Sequence, residues 1–177
     1  MIVVLFGVSG SGKTTIGKLL SEILGWPLLD ADVYHPAANV EKMRNGVALT
    51  DADRWPWLDR LNALLREQQA AGRSAILACS ALKQAYRDRL ADGLGNLIWI
   101  HLKGDFELIE GRLNARRGHY MPPSLLRSQF ATLEEPRDAI TVDVTPVPDD
   151  IARDLAERLI QPRNDVTTAS VARDNKN

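Results

Sequence analysis

The stretch GVSGSGKT at positions 7–14 carries residue types suited to holding a polyphosphate. It fits the pattern G-x-x-x-x-G-K-[ST], with Gly7 and Gly12 at the glycine positions and Lys13 and Thr14 behind them. Glycines let backbone N–H groups approach phosphate oxygens, and a helix that starts near Lys13 adds its positive dipole end. We expect Lys13 to reach the β- and γ-phosphates and Thr14 to offer its hydroxyl to Mg²⁺.

Other nucleotide-binding classes fit the sequence less well. The glycine spacing differs from the G-x-G-x-x-G of dinucleotide-binding proteins, and the N-K-x-D pattern of guanine recognition is absent from the chain. A chain of 177 residues is also long enough for only one domain, which is small for a motor protein. A small-molecule kinase is the class that the motif favours.

Two aspartates lie at the end of the second predicted strand. Asp30 and Asp32 are two residues apart, so in extended chain both would face the same side, at the edge of the sheet where α/β proteins bind ligands. One carboxylate could then hold a Mg²⁺-bound water while the other orients a substrate hydroxyl. A solvated turn with an aspartate-to-backbone bond is the alternative interpretation.

The residues from His35 to Arg54 suggest further substrate contacts. His35 could hydrogen-bond a polyol or simply precede the turn at Pro36, and Arg54 could meet an anionic group or solvent. The run TDAD at 50–53 fits a helix capping box, which explains its acids as well as a functional role does. The histidines lack the spacing of a metal site.

Composition and charge limit the binding partners and the cellular compartments that fit the protein. The net charge of -1 disfavours a nucleic-acid binder, and the chain contains no apolar run of the length a membrane helix needs. A single cysteine, Cys79, excludes an internal disulfide, and the first residues do not resemble a signal peptide. We therefore expect a cytoplasmic protein.

The elements that must position these residues alternate along the chain. Apolar runs predict strands at 2–6, 74–79, 97–102 and 139–144, and a short strand that starts at Leu28 and Leu29 and runs into Asp30 and Asp32. Helical spacing predicts helices at 13–24, 36–46, 54–71, 82–92, 105–116, 124–133 and 149–160. Strands alternating with helices indicate an α/β sandwich around a parallel sheet, and the polar residues 163–177 read as a flexible tail.

Six blocks in order resemble the gluconokinases of the short P-loop type. They are the phosphate motif, DADVYHPAANVEKM, LTDADRWPWL, CSALKQAYRDRL, LKGDFELIEGRLNARRGHYM and LLRSQFATLEEP, and together they cover about Met1 to Ile160. The resemblance implies transfer of phosphate from ATP, with Mg²⁺, to D-gluconate, giving 6-phospho-D-gluconate. It also implies a fold similar to shikimate and adenylate kinases: a three-layer α/β sandwich with a five-stranded parallel sheet, a mobile substrate segment and a lid at about 116–126 within a domain at 1–162.

The resemblance also implies roles for individual residues. It implies catalytic roles for Lys13, Asp32 and Arg116, and a metal site at Thr14 and Asp30. The implied nucleotide site comprises Gly7, Ser9, Gly10, Ser11, Gly12, Lys13, Thr14, Thr15, Arg112 and Arg116. The implied substrate site comprises Asp32, His35, Arg54, Ser80, Lys83, Arg87, His119 and Gln129. Gln129 falls where shikimate kinases carry a carboxylate-binding arginine, which leaves the partner of the gluconate carboxylate open.

Two alternatives stay open at this point. One is another kinase of the same shape, acting on shikimate, adenylylsulfate or a nucleoside monophosphate. The other is a nucleotide-binding module without turnover, which would not need Lys13, Asp32 and Arg116 together. The sequence leaves the oligomeric state undecided, and a homodimer is compatible with it.

Overall fold

The computed structural model describes residues 1–115 and 123–161. Its five strands, β1 to β5, span Ile2–Phe6, Leu28–Asp30, Ala75–Ala78, Leu97–Lys103 and Ile140–Asp143. Its seven described helices, α1 to α7, span Lys13–Leu24, Ala37–Arg44, Asp51–Ala70, Gln84–Ala91, Phe106–Ala115, Pro123–Thr132 and Pro148–Ile160. A short 3-10 helix, Ala31–Tyr34, lies between β2 and α2.

The five strands form one parallel sheet in the order β2-β3-β1-β4-β5. β1 is therefore central, with Leu5 opposite Ala78 of β3 and Ile100 of β4. Because all strands run the same way, their carboxyl ends meet at one edge, where Phe6 and Asp30 end β1 and β2. This confirms the predicted five-stranded parallel sheet.

Side chains of β1 alternate between two separate cores. Val3 and Leu5 are fully buried against residues of α1, α5 and α7 on one face. Ile2, Val4 and Phe6 are fully buried against residues of α3 and α4 on the other. Helices thus cover both faces of the sheet, which explains the unbroken apolar run of β1 and confirms the three layers.

Some boundaries differ from those predicted. Helix α3 begins at Asp51 rather than at residue 54, because Thr50 caps it: its hydroxyl accepts from Asp53 N at 3.3 Å, and Asp53 Oδ2 accepts from Thr50 N at 2.9 Å. This is the predicted capping box. Of the predicted lid, only the part from Pro123 onward is described, and it is helical. Arg116, His119 and the predicted tail lie outside the described residues.

Within residues 1–115 and 123–161, no helix combines the length and the apolar character needed to span a membrane.

Candidate active site

The phosphate loop, residues 7–14, joins β1 to α1 and is shaped by its glycines. Gly7, Gly10 and Gly12 have φ angles of 146°, 83° and 94°, a region that favours glycine. A Cβ on Gly7 would lie 2.7 Å from the carbonyl oxygen of Leu102, and one on Gly10 would lie 2.9 Å from Leu113 Cγ. The loop therefore requires glycine both for its conformation and for its close packing.

Hydrogen-bond donors gather at this loop. Lys13 Nζ donates to the carbonyl oxygens of Gly7 at 3.1 Å and Val8 at 2.9 Å. Gly12 caps α1 without a side-chain bond, so the first N–H groups of the helix have no such partner. The fully buried Ser11 hydroxyl has no hydrogen-bond partner among the described residues. An ammonium group, a helix N-terminus and a buried hydroxyl together can hold a polyphosphate.

Thr14 and Asp30, the predicted metal pair, are in contact. Thr14 Oγ1 donates to Asp30 Oδ2 at 3.1 Å, which links the first turn of α1 to the end of β2. The described residues hold no cluster of three or more His, Cys, Asp or Glu side chains able to bind a metal. Mg²⁺ usually needs only one or two protein carboxylates beside waters and substrate phosphates. The hydroxyl–carboxylate pair at the phosphate loop fits that ion.

Asp32 lies in the 3-10 helix and not in extended chain, so the strand geometry predicted to place Asp30 and Asp32 on the same side is wrong, and the alternative, a turn with an aspartate-to-backbone bond, is confirmed. Asp30 caps the 3-10 helix instead, because its Oδ1 accepts a hydrogen bond from Asp32 N at 3.2 Å. Trp57 Nε1 donates to the Ala31 carbonyl at 2.9 Å and holds this turn against α3. The backbone therefore turns at the strand end, and Asp32 is left exposed.

His35 lies beside Asp32 and Arg54. Its ring stacks on Trp57 with centroids 4.1 Å apart and planes at 14°. Burial lowers the pKa of His35, the charge of Asp32 opposes that shift, and the charge of Arg54 adds to it. A neutral imidazole has one donor and one acceptor, which suits a polyol.

Asp51, Arg54, Lys83 and Tyr86 form a group that we name the Asp51 cluster. Lys83 Nζ lies 2.9 and 2.8 Å from the two Asp51 carboxylate oxygens, and the Tyr86 hydroxyl donates to the same carboxylate. The Arg54 guanidinium carbon lies 5.5 Å from the centre of the Tyr86 ring. The cluster brings together two predicted substrate residues, Arg54 of α3 and Lys83, the residue that precedes α4.

Hydrogen bonds fix the charges of the Asp51 cluster. Bonds from Lys83 and Tyr86 lower the pKa of Asp51, and the bond to Asp51 raises the pKa of Lys83. The side chains of Lys83 and Asp51 are 32% and 47% exposed, so a solute can reach them. Sequence reasoning missed Tyr86, although it is three residues from Lys83, the spacing of neighbours on one helix face.

The end of β3 lies close to the phosphate loop. The Ser80 carbonyl accepts from Gly7 N at 3.3 Å. Burial raises the pKa of the Cys79 thiol to about 12, and the charges of Asp32, Lys13 and Asp30 also act on that pKa. The three charged residues therefore lie around the end of β3. Cys79 is a packed thiol and not a nucleophile.

Two further residues predicted to bind nucleotide are Arg112 and Thr15. Arg112, on α5, donates from Nη2 to the carbonyl oxygen of Val144, just after β5, at 2.6 Å. Its charge also contributes to lowering the pKa of Asp143, although the bonds from Thr145 are the main cause. Thr15 is exposed in the first turn of α1.

Arg87 does not present a free guanidinium to a substrate. The residue is 4% exposed, and its donors bond to the carbonyls of Ala81, Leu82 and Glu134 and to Gln84 Oε1, at 3.0–3.2 Å. These bonds occupy all five N–H groups that a guanidinium has. Arg87 joins the loop after β3 to the segment after α6, and we leave it out of the substrate site.

Gln129 also differs from expectation. Its Oε1 accepts a hydrogen bond from Ser9 N in the phosphate loop at 2.7 Å. The side chain predicted to bind substrate therefore contacts the nucleotide side of the site.

The parallel sheet, the phosphate loop after β1 and the carboxylates after β2 define a P-loop protein of the small-molecule kinase class. The family model described as AAA domain matches residues 2–140. Thermoresistant gluconokinase of Escherichia coli K12 is 46% identical over 147 residues, which cover 81% of this chain and 84% of that protein. Gluconokinase of Gluconobacter oxydans 621H is 50% identical over 135 residues, 76% of each chain. The chain belongs to the gluconokinase family.

A solved structure supports the same assignment. The crystal structure of a gluconokinase from Sinorhizobium meliloti 1021 matches with a TM-score of 0.76 and 40% identity, over 89% of this chain and 94% of that one. The family resemblance and the fold class inferred from the sequence are thus confirmed. Such identities do not favour the alternatives of another kinase or a module without turnover.

Proposed function

We propose that this protein transfers the γ-phosphoryl group of ATP to the terminal hydroxyl of D-gluconate, giving ADP and 6-phospho-D-gluconate. The observation that carries the proposal is the contact between Thr14 and Asp30 at the phosphate loop. The contact supports a triphosphate site near Asp32, the exposed carboxylate two residues farther along the chain than Asp30. The choice of D-gluconate as the acceptor is supported by the relatives, which are named gluconokinases.

Positioning and charge neutralisation carry most of the catalysis in phosphoryl transfer. Lys13 and the α1 N-terminus offset the charge that develops on the phosphoryl oxygens, together with Arg116. Asp32 accepts a hydrogen bond from the attacking hydroxyl and aligns it with the γ-phosphorus. Thr14 and Asp30 would hold Mg²⁺, which when bound neutralises phosphate charge and orients the phosphates.

The remaining predicted residues divide between the two substrates. Gly7, Ser9, Gly10, Ser11, Gly12, Thr15 and Arg112 serve the nucleotide. His35, Ser80 and His119 serve the hydroxyls of gluconate. We assign the gluconate carboxylate to the Asp51 cluster, because its two cations outnumber its one carboxylate and its side chains can be reached from solvent. Arg116 and His119 keep their roles on the family resemblance.

Three broader expectations accompany this function. One kinase domain spans residues 1–162, with a lid at about 116–126 that excludes water during transfer and a tail at 163–177 that catalysis does not need. The enzyme works in the cytoplasm on small molecules, without nucleic acid or membrane. A homodimer is compatible with these expectations.

An ADP-release assay over a panel of acceptors tests the proposed function. We expect turnover with D-gluconate and none with shikimate or adenylylsulfate, and phosphorus NMR should place the product phosphate on the terminal carbon. Lys13→Met controls for contaminating kinases, because loss of its charge should lower kcat by about 10² or more. Turnover with shikimate would refute the proposal, and so would a lack of turnover with every acceptor in the panel.

A further inference from the structure

The side chain of Gln129 reaches across the site to the backbone of the phosphate loop. Gln129 lies in α6, and its Oε1 accepts from Ser9 N at 2.7 Å across 120 residues of sequence. Ser9 lies two residues after Gly7, in the first half of the loop. A backbone N–H there has few acceptors within its own chain segment, so an amide oxygen from another helix can select the loop's conformation.

Helix α6 is well anchored where it carries Gln129. Glu134 N, just after the helix, donates to the Leu82 carbonyl at 2.9 Å, and Arg87 donates to the Glu134 carbonyl at 3.0 Å. Phe130, next to Gln129, packs edge-on against Phe106 of α5 with centroids 5.5 Å apart. The carboxamide is therefore presented from a fixed helix, which is what a positioning contact requires.

The opposite side of the loop is held in another way. The Cα of Gly10 packs so closely on α5 that a Cβ there would lie 2.9 Å from Leu113 and 3.1 Å from Ile109. This apolar packing fixes the position of the loop but leaves the orientation of individual N–H groups free. The directional hydrogen bond that Ser9 N donates to Gln129 Oε1 fixes the orientation of the peptide at Ser9.

We infer that Gln129 is a positioning residue: it holds the phosphate loop in the conformation that binds nucleotide, by accepting the hydrogen bond of Ser9 N. It thereby links α6 to the nucleotide site. The inference rests on the proposed function only in requiring a nucleotide at the phosphate loop. It replaces the predicted role of Gln129 as a substrate-binding residue.

The test compares ADP binding by calorimetry, in the absence of gluconate, with steady-state kinetics. Gln129→Met removes the acceptor and keeps the length of the side chain, and Ser128→Ala is the control, an exposed residue on the same helix. We expect Gln129→Met to weaken ADP binding about tenfold and to raise KM for ATP similarly, since one hydrogen bond is lost. In Gln129→Met, KM for gluconate should stay within about twofold of the wild-type value. In Ser128→Ala, ADP affinity and both KM values should also stay within about twofold of wild type.

A double-mutant cycle identifies the partner atom. Ser9→Pro removes the donor N–H, so adding Gln129→Met to it should weaken ADP binding no further. A full additional loss would show that Gln129 acts elsewhere. Three results with Gln129→Met alone would also overturn the inference: a raised KM for gluconate with unchanged ADP binding, tighter ADP binding, or a lower Tm with unchanged ADP binding. ADP binding needs no acceptor, so failure of the gluconate proposal would be seen separately.

Discussion

The Thr14 hydroxyl donates to Asp30 Oδ2 at 3.1 Å, which joins the last position of the phosphate motif to the end of β2. The other oxygen of the same carboxylate, Oδ1, caps the 3-10 helix through Asp32 N at 3.2 Å. One side chain thus orients both the metal-side hydroxyl and the turn that carries the proposed catalytic carboxylate.

Asp30→Asn should separate these two tasks. Asparagine caps helices as well as aspartate does, so the turn should persist, while the lost negative charge weakens a Mg²⁺ site. We expect the Mg²⁺ concentration for half-maximal rate to rise about tenfold, a change of one charged ligand interaction. Asp154→Asn, on the surface of α7, is the matched control. An unchanged Mg²⁺ requirement in Asp30→Asn would place the metal elsewhere.

Asp32→Asn should act on turnover rather than on nucleotide binding. The amide can no longer accept the hydroxyl proton as a carboxylate does, so we expect kcat to fall by about 10² or more. ADP affinity, measured by calorimetry, should stay within about threefold, because Asp32 is not part of the Thr14–Asp30 pair. Comparable losses in ADP affinity and kcat would instead place Asp32 in the metal site.

The phosphate loop could be predicted from the sequence because its backbone conformation requires glycine at fixed positions. Gly7, Gly10 and Gly12 adopt positive φ, and Gly7 and Gly10 also pack closely on β4 and α5, so the glycine pattern in the sequence predicts the geometry of the loop. The buried β1 could be predicted for a similar reason, since both of its faces are covered.

Non-local contacts account for what the sequence did not reveal. The turn at Asp32 combines a local cap from Asp30, which the alternative interpretation allowed, with a bond from Trp57, 26 residues from its acceptor, which holds the turn against α3. Arg87 looks like a solvated helix residue until the carbonyl of Glu134, 47 residues away, reaches it. Side chains that bond to distant backbone leave no periodic signal in the sequence, and Gln129 belongs to the same category.

Lys83→Met should weaken gluconate binding if the Asp51 cluster holds the acid. Removal of the ammonium leaves Asp51 next to the incoming carboxylate, so we expect KM for gluconate to rise about tenfold or more. KM for ATP should change little. Lys42→Met is a matched control, because Lys42 also pairs with an aspartate of α3, Asp53, at 2.7 Å. A KM for gluconate that responds equally to both variants would argue against the cluster.

Arg87→Lys should destabilise the fold without changing substrate binding. Lysine keeps the charge but has three donors and no planar fork, so several buried carbonyls lose their partner. We expect the free energy of unfolding in urea to fall by about 2–4 kcal/mol. Arg89→Lys, on the same helix but paired with Asp59 at the surface, should leave the free energy of unfolding close to that of the wild type. A raised KM for gluconate at unchanged stability would restore the predicted substrate role of Arg87.

His101 should make stability fall in mild acid. It is 1% exposed in β4 and stacks on Phe6 with centroids 5.0 Å apart, and its Nδ1 has no hydrogen-bond partner in the described part of the chain. Burial lowers its pKa, and the charge of Glu135 only opposes that shift. Above the ordinary pKa of about 6.5 the ring is neutral in the folded and in the unfolded protein. In that range His101 therefore does not make the free energy of unfolding depend on pH.

As the pH falls below about 6.5, the unfolded chain takes up the proton before the folded one, so unfolding becomes easier. The loss reaches at most about 1.4 kcal/mol per pH unit for one proton. His101→Phe keeps an aromatic ring on Phe6 and removes the titration, so its unfolding free energy in urea should fall less than that of the wild type between about pH 7 and pH 5. His35→Gln serves as the comparison, because burial also lowers the pKa of His35. The contribution of His35 to the pH dependence of unfolding is measured with this variant and subtracted. Equal slopes for His101→Phe and the wild type would mean that His101 titrates normally in the folded protein.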